Sequence, residues 1–252
     1  MYDIEMHEMS RDFFRCWQAA GMHLNDQVRG GIQSWLRAHP YPPFLEHLSF
    51  RFKNQLFFVR VEDVEGKIEG PGNSRGFIDA ANNANGHACI LPMKRNQFAD
   101  SWAAARSGWG LIDPERRTPV NPPELVTSEK IEMSAWEVHD LAVQVVRDHL
   151  KASGFQLMSW QSNPEVNPSI WFIGKSLNPE WVVVRSATFP ERKADRPKHW
   201  QSIAAGCANL SPRGHFASVA VASPFQSVDI NSHDPVPLWR GLPIDVHFGG
   251  LE

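Results

Sequence analysis

The chain has 252 residues, 42% hydrophobic and 21% charged, an ordinary balance for a folded soluble protein of one large domain or two modest ones. Its formal charge of −3 gives no general attraction to polyphosphate, so nucleic-acid binding would need a local basic patch. No apolar run approaches the roughly 18 residues of a membrane span.

In chain order, Arg11–Ala20 reads as a helix with Phe13, Phe14 and Trp17 on one face and Gly21 at its end. Asn25 or Asp26 then caps an expected second helix with Val28, Ile32, Trp35 and Leu36 at helical spacing, stopped at His39-Pro40. Leu48–Phe52 and Leu56–Val61 are β-rich runs divided by Lys53-Asn54, which predicts a hairpin. Gly66–Gly72 is a loop, Arg75–Asn85 a helix, Ala88–Pro92 a short strand and Asn96–Arg106 a helix carrying Phe98, Trp102 and Ala105. Gly108–Leu125 is rich in Gly and Pro and reads as a linker, giving expected domains 1–110 and 126–252.

The second half has the firmer pattern. Trp136–Leu150 places Leu141, Val145 and the Val146/Leu150 pair at three-and-four spacing, and Gly154 stops that helix. Phe155–Trp160, Ser169–Ile173 and Trp181–Ala187 are short β-prone runs. A helix fits Trp200–Leu210, a strand Phe216–Ala222, a loop Pro224–Pro237 and an edge strand Ile244–Phe248, with Ile244, Val246 and Phe248 inward. The two halves resemble each other. Ser49, Phe58–Arg60 and Gly86-His87 lie over Ser169, Val183–Arg185 and Gly214-His215, with the Arg residues 125 positions apart and the Gly-His pairs 128. So long a period points to a duplicated domain. The expected fold is α/β: two small mixed-sheet α-β-β-β-α-β domains in tandem.

That element order, with Glu137 on the first helix and Gly154-Phe155 after it, resembles the PD-(D/E)xK (restriction-endonuclease-like) superfamily, most closely its small resolvase-like members. The resemblance spans Met133–Pro224. In that family an Asp at the start of the second strand and an acidic-x-Lys on the third hold a divalent metal. The matching positions here are Ser169 and Val183-Val184-Arg185, so Ser, Val and Arg stand for Asp, the acid and Lys. The resemblance therefore implies the scaffold without the family's catalytic acids. Metal-dependent cleavage needs converging carboxylates, and an alternative reading moves the ligands to Glu137, Glu165 and Glu180.

Other constellations point to structure. Three widely spaced cysteines have no zinc spacing and read as reduced, buried thiols. The acidic N-terminal residues read as no signal peptide, so a cytoplasmic location is expected. Eleven histidines, including His87, His139 and His215, form no Ser/His/Asp or Cys/His order. Gly70–Gly76 lacks the Lys of a phosphate loop, and the basic residues of Glu191–Lys198 are diluted by two acids. The ten tryptophans are core material with a few exposed anchors. The expectation is a non-catalytic interaction protein with no cofactor and no membrane contact. A protein partner is favoured over nucleic acid. The candidate binding cleft is Ser169, Arg185, Ser49 and Arg60, with Trp239-Arg240 as hot-spot residues.

Overall fold

The computed structural model describes residues 10–32, 35–36, 48–68, 74–96, 100–227 and 236–252, and the chain divides into two units, Met1–Glu129 and Lys130–Glu252. In the first, the Ser10 hydroxyl accepts from the Phe13 N–H and starts helix α1 (Arg11–Asp26). The helix runs through Gly21, because Cys16, Ala20 and Leu24 form one buried stripe that ends beyond it. Strand β1 (Trp35–Leu36) stands where a second helix was expected. Asn25 lies inside α1 and its side chain accepts from the Ile32 N–H, while Gly30 and Gly31 take φ of 82° and 79°, which breaks helical propagation. Trp35 then sits opposite Phe50 of β2 (Leu48–Phe52).

Strand β3 (Gln55–Asp63) returns from β2 through the expected Lys53-Asn54 hairpin. Helix α2 (Ser74–Asn83) crosses over to β4 (His87–Asn96), which lies parallel to β3. Strand β5 (Ser101–Ala104) is a second correction, since Asn96–Arg106 was expected to be helical. Trp102 pairs with Arg95 and Ala104 with Met93, so the segment covers the free edge of β4 and its alternation outweighs its helical spacing. Residues 97–99, 37–47 and 69–73 lie outside the described residues, and with them His39-Pro40 and most of the Gly-rich loop before α2.

The Gly/Pro-rich stretch after β5 is more than a linker. Trp109, Leu111 and Ile112 are buried, Trp109 stacks on Phe50 at 5.7 Å, and Ile112 bridges Ile90. A one-turn helix α3 (Pro122–Leu125) follows, and the Asn54 amide donates to the Thr127 and Glu129 carbonyls.

The second unit opens on helix α4 (Ala135–Ala152), capped by a reciprocal Ser134/Glu137 box. Ala142, Val146 and Leu150 are fully buried on its inner face, and burial of each of the two larger side chains contributes about 1.5–3 kcal/mol. Strands β6 (Gln156–Trp160), β7 (Ile170–Ile173) and β8 (Pro179–Thr188) form an antiparallel meander. Helix α5 (Trp200–Cys207) crosses to β9 (Gly214–Ala222), parallel to β8, and β10 (Asp245–Phe248) closes the edge antiparallel to β9. Ile244 and Phe248 pack on the core as expected, whereas Val246 is 40% exposed.

The two sheets have the same five-strand order and directions. Their registers also match. Phe50 opposes Phe57 and Phe57 opposes His87; in the second unit Ile170 opposes Val182 and Val182 opposes His215. Arg60 and Arg185 fall at the same strand position. A chance likeness of two α/β units has no reason to keep three strands in register, so the repeat is a property of the fold. No described helix is long and apolar enough to cross a membrane.

Candidate functional site

Alternation along β8 sends Val182, Val184 and Ser186 toward α4, and Trp181, Val183 and Arg185 toward α5. In the first unit Phe57, Val59 and Val61 face the α1 core, so Arg60 faces the opposite layer, as Arg185 does. The candidate residues therefore occupy two equivalent strand positions, one set per unit.

These residues are mostly committed to structure. Ser169 is buried, and its hydroxyl accepts from the Val184 N–H at 3.1 Å. Ser49 is fully buried, and its hydroxyl has no partner among the described residues. Arg60 approaches Glu62 at 3.8 Å. Arg185 donates to the Val184 carbonyl at 2.7 Å and to Asn167 Oδ1 at 3.0 Å, with no carboxylate partner among the described residues. Burial holds its pKa below the usual guanidinium value.

Arg240 corrects the sequence reading. It is no surface anchor: its guanidinium grips both oxygens of Glu137 at 2.8–3.1 Å, with both side chains 1% exposed. Glu137 also accepts from Ser134 N–H and Oγ, so one carboxylate closes the helix cap and neutralises the arginine. Trp239 remains half-buried.

The alternative metal ligands do not converge. Glu165 sits exposed in an Asn163 turn. Glu180 lies 2.8 Å from His215 Nε2 and accepts from Arg213 at 3.0 Å. Burial alone would raise the Glu180 carboxyl, but the hydrogen bonds and charges of His215 and Arg213 outweigh it and hold the pKa low. Glu137 is at the far end of the unit: α4 begins beside Ser186, six residues along β8 from Glu180, or about 20 Å at strand rise. Among the described residues no three His, Cys, Asp or Glu side chains gather as a metal site.

The open site is elsewhere. A short ribbon joins 131–133 to 238–240, through Met133 N–H to the Leu238 carbonyl at 2.8 Å and Arg240 N–H to the Ile131 carbonyl at 2.9 Å. The Glu137–Arg240 pair locks that ribbon to α4. Between the ribbon, the start of α4 and the carboxyl ends of parallel strands β8 and β9 lies a cavity of ≈ 520 Å³. Val138, Val221 and Leu238 give it apolar walls, and Ser186, Thr188 and Ser223 bring hydroxyls to it. Clefts at the carboxyl ends of parallel strands are common ligand sites, and 300–1,000 Å³ is their usual size.

The matched family is one of unknown function. Residues 136–252 match the model of a domain of unknown function (DUF8840), so the match covers nearly all of the second unit. No curated protein and no solved structure matches the chain.

His139 is a further buried group. Its Nε2 has no partner among the described residues, and burial, reinforced by the charge of Arg185, pushes its pKa down to about 4. Sequence reasoning missed the cavity, whose walls come from four separated segments. It also missed the Glu180–His215 contact, though the repeat contained it: Gln55, 125 residues before Glu180, lies 2.9 Å from His87.

Proposed function

We propose that this chain is a non-catalytic interaction protein on a degenerate nuclease-like scaffold, and that its second unit binds a protein partner at the β8–β9 cavity. The observation that carries the reading is the cavity itself, an apolar-walled recess with a hydroxyl rim at the mouth of the parallel strand pair. Phe225, two residues beyond Ser223, is 54% exposed and extends the apolar surface from that segment. The α-β-β-β-α-β order in both units supports the scaffold assignment. The engagement of Glu137 by Arg240, and of Glu180 by His215 and Arg213, supports a role other than metal-dependent cleavage.

The test compares the proteins retained from the native host by the full chain and by Ala135→Trp, which fills the cavity from an exposed first-turn position. A specific protein held by the former and lost by the latter is expected. Equal retention by both, or Mg²⁺- or Mn²⁺-dependent nucleic-acid cleavage abolished by Glu137→Gln in a folded variant, overturns the reading.

A further inference from the structure

We infer that the β8–β9 cavity takes the β7–β8 hairpin tip of a second copy of this chain, with Leu177 as the anchor. This deepens the proposed function and rests on it: the protein partner is the chain itself. The first observation is Leu177. It is 84% exposed, the most exposed large apolar side chain among the described residues, and its φ is 60°. Its N–H bonds the Gly174 carbonyl at 3.0 Å, and the Gly174 N–H bonds the Asn178 carbonyl at 2.8 Å. Leu177 thus fills the left-handed position that closes a short hairpin loop, where glycine is the usual residue. The other non-glycine residues with positive φ in the described chain are Lys53, Asn85, Asp100 and Arg117, all polar. A leucine here strains the backbone and buries little within its own fold; strain of that kind persists where a contact uses it.

The apolar tip belongs to the second unit alone: the matching hairpin of the first unit turns through Lys53-Asn54 and presents no apolar side chain. The second observation is the fit. The cavity of ≈ 520 Å³ has Val138, Val221 and Leu238 as apolar walls and hydroxyls at its rim. Charge around it balances. Exposed Lys130 stands near Glu132, and Arg192, Arg196 and Lys198 accompany Glu191 and Asp195 on the segment after β8. Such a recess suits an apolar side chain with uncharged polar neighbours. Leu177 lies between exposed Ser176 and Asn178, with Lys175 one residue further out.

The third observation is place. The cavity opens at the carboxyl end of β8, whereas Leu177 precedes its amino end. The strand from Pro179 to Thr188 separates them by about 30 Å at strand rise, so a tip cannot reach the cavity of its own chain. Joining tip to cavity is therefore a heterologous contact. It leaves one tip and one cavity free, and it continues into a ring or a filament.

The experiment follows the mass of the full chain by analytical ultracentrifugation at rising concentration, up to roughly 1 mM, where even a weak contact is populated. The wild type is expected to pass beyond dimer mass. Leu177→Asn removes the anchor but keeps a residue that tolerates the left-handed position, so it should stay monomeric with an equal or higher melting temperature. Ala135→Trp, at an exposed lining position, should also stay monomeric. Mixed in equal amounts, the two variants should form a dimer and stop there. The Leu177→Asn cavity receives the intact tip of Ala135→Trp, and the ends left over are a blocked cavity and a tip without its anchor. A monomeric wild type, association that survives either substitution, or a mixture that stays monomeric or grows past a dimer overturns the inference. A monomeric wild type with a different host protein still lost on Ala135→Trp sinks this inference alone; a host partner indifferent to Ala135→Trp sinks the proposed function.

Discussion

Arg240→Met should destabilise the second unit and leave the first unchanged. The guanidinium makes three hydrogen bonds to Glu137 at 2.8–3.1 Å, with both side chains 1% exposed. Removing one member of such a pair leaves a charge in a site with almost no water, at a cost of about 3–5 kcal/mol. That is a large share of a domain's total stability of roughly 5–15 kcal/mol. Glu137→Gln should cost a similar amount by stranding Arg240, although Gln at this position still serves the helix cap. The double variant Glu137→Gln/Arg240→Met leaves no buried charge, so its loss should be well below the sum of the two. Native-state hydrogen exchange reads this unit by unit, with α4 amides reporting the pair and α1 amides serving as the control. Loss of α4 protection within about 0.5 kcal/mol of wild type in Arg240→Met, the range of ordinary surface substitutions, would refute the reasoning.

Three further outcomes follow from buried groups. His139, held neutral with a pKa of about 4 against an unfolded value of 6.5, contributes fully above the unfolded value and loses its contribution as pH falls toward 4. Acidification from about pH 7.5 to about pH 5 should therefore cost about 2 kcal/mol in α4 exchange protection. His139→Leu should remove that slope, and an unchanged slope contradicts the assignment. Glu180→Gln reproduces the Gln55–His87 contact of the first unit, so the fold should survive with a loss of about 1 kcal/mol or less, given an exposed Arg213 partner. Because the folded state lowers the Glu180 pKa, that stabilisation exists above about pH 4.5 and fades below it, so wild-type and variant melting temperatures should converge in acid. The Cys16 and Cys89 thiols are pushed up to about 12, chiefly by burial, and burial also raises Cys207. A thiol-specific disulfide reagent at mildly alkaline pH should modify none of the three in the native chain and all three after denaturation; a fast-reacting native thiol contradicts their burial.

The fold was legible where local chemistry and tertiary demand agree. In α4 the Ser134/Glu137 spacing, the three-and-four apolar pattern and Gly154 all specify one helix. The repeat was visible because Ser169, Arg185 and His215 keep the strand positions of Ser49, Arg60 and His87. Reading failed where one period masked another. Trp35-Leu36 and Trp102 suit a helical stripe equally well, and pairing with β2 and β4 decided for strand. Trp109 looked like part of a linker because its neighbours are turn formers, but its ring completes the stack on Phe50. At the site, Arg240 looked like an exposed anchor because its partner lies 103 residues away. The cavity had no local signature, since Glu132, Ser186, Ala222 and Pro237 meet only through the sheet and its ribbon.

Site-specific photo-crosslinking at Thr188, an exposed residue of the cavity wall, tests partner binding most directly. The full chain carrying a photoreactive phenylalanine at that position is irradiated in the native host, with Lys151 at the far end of α4 as the control site. The account predicts a covalent adduct from position 188 to one polypeptide, and none from position 151. No polypeptide adduct at 188, or an adduct to nucleic acid there, contradicts it.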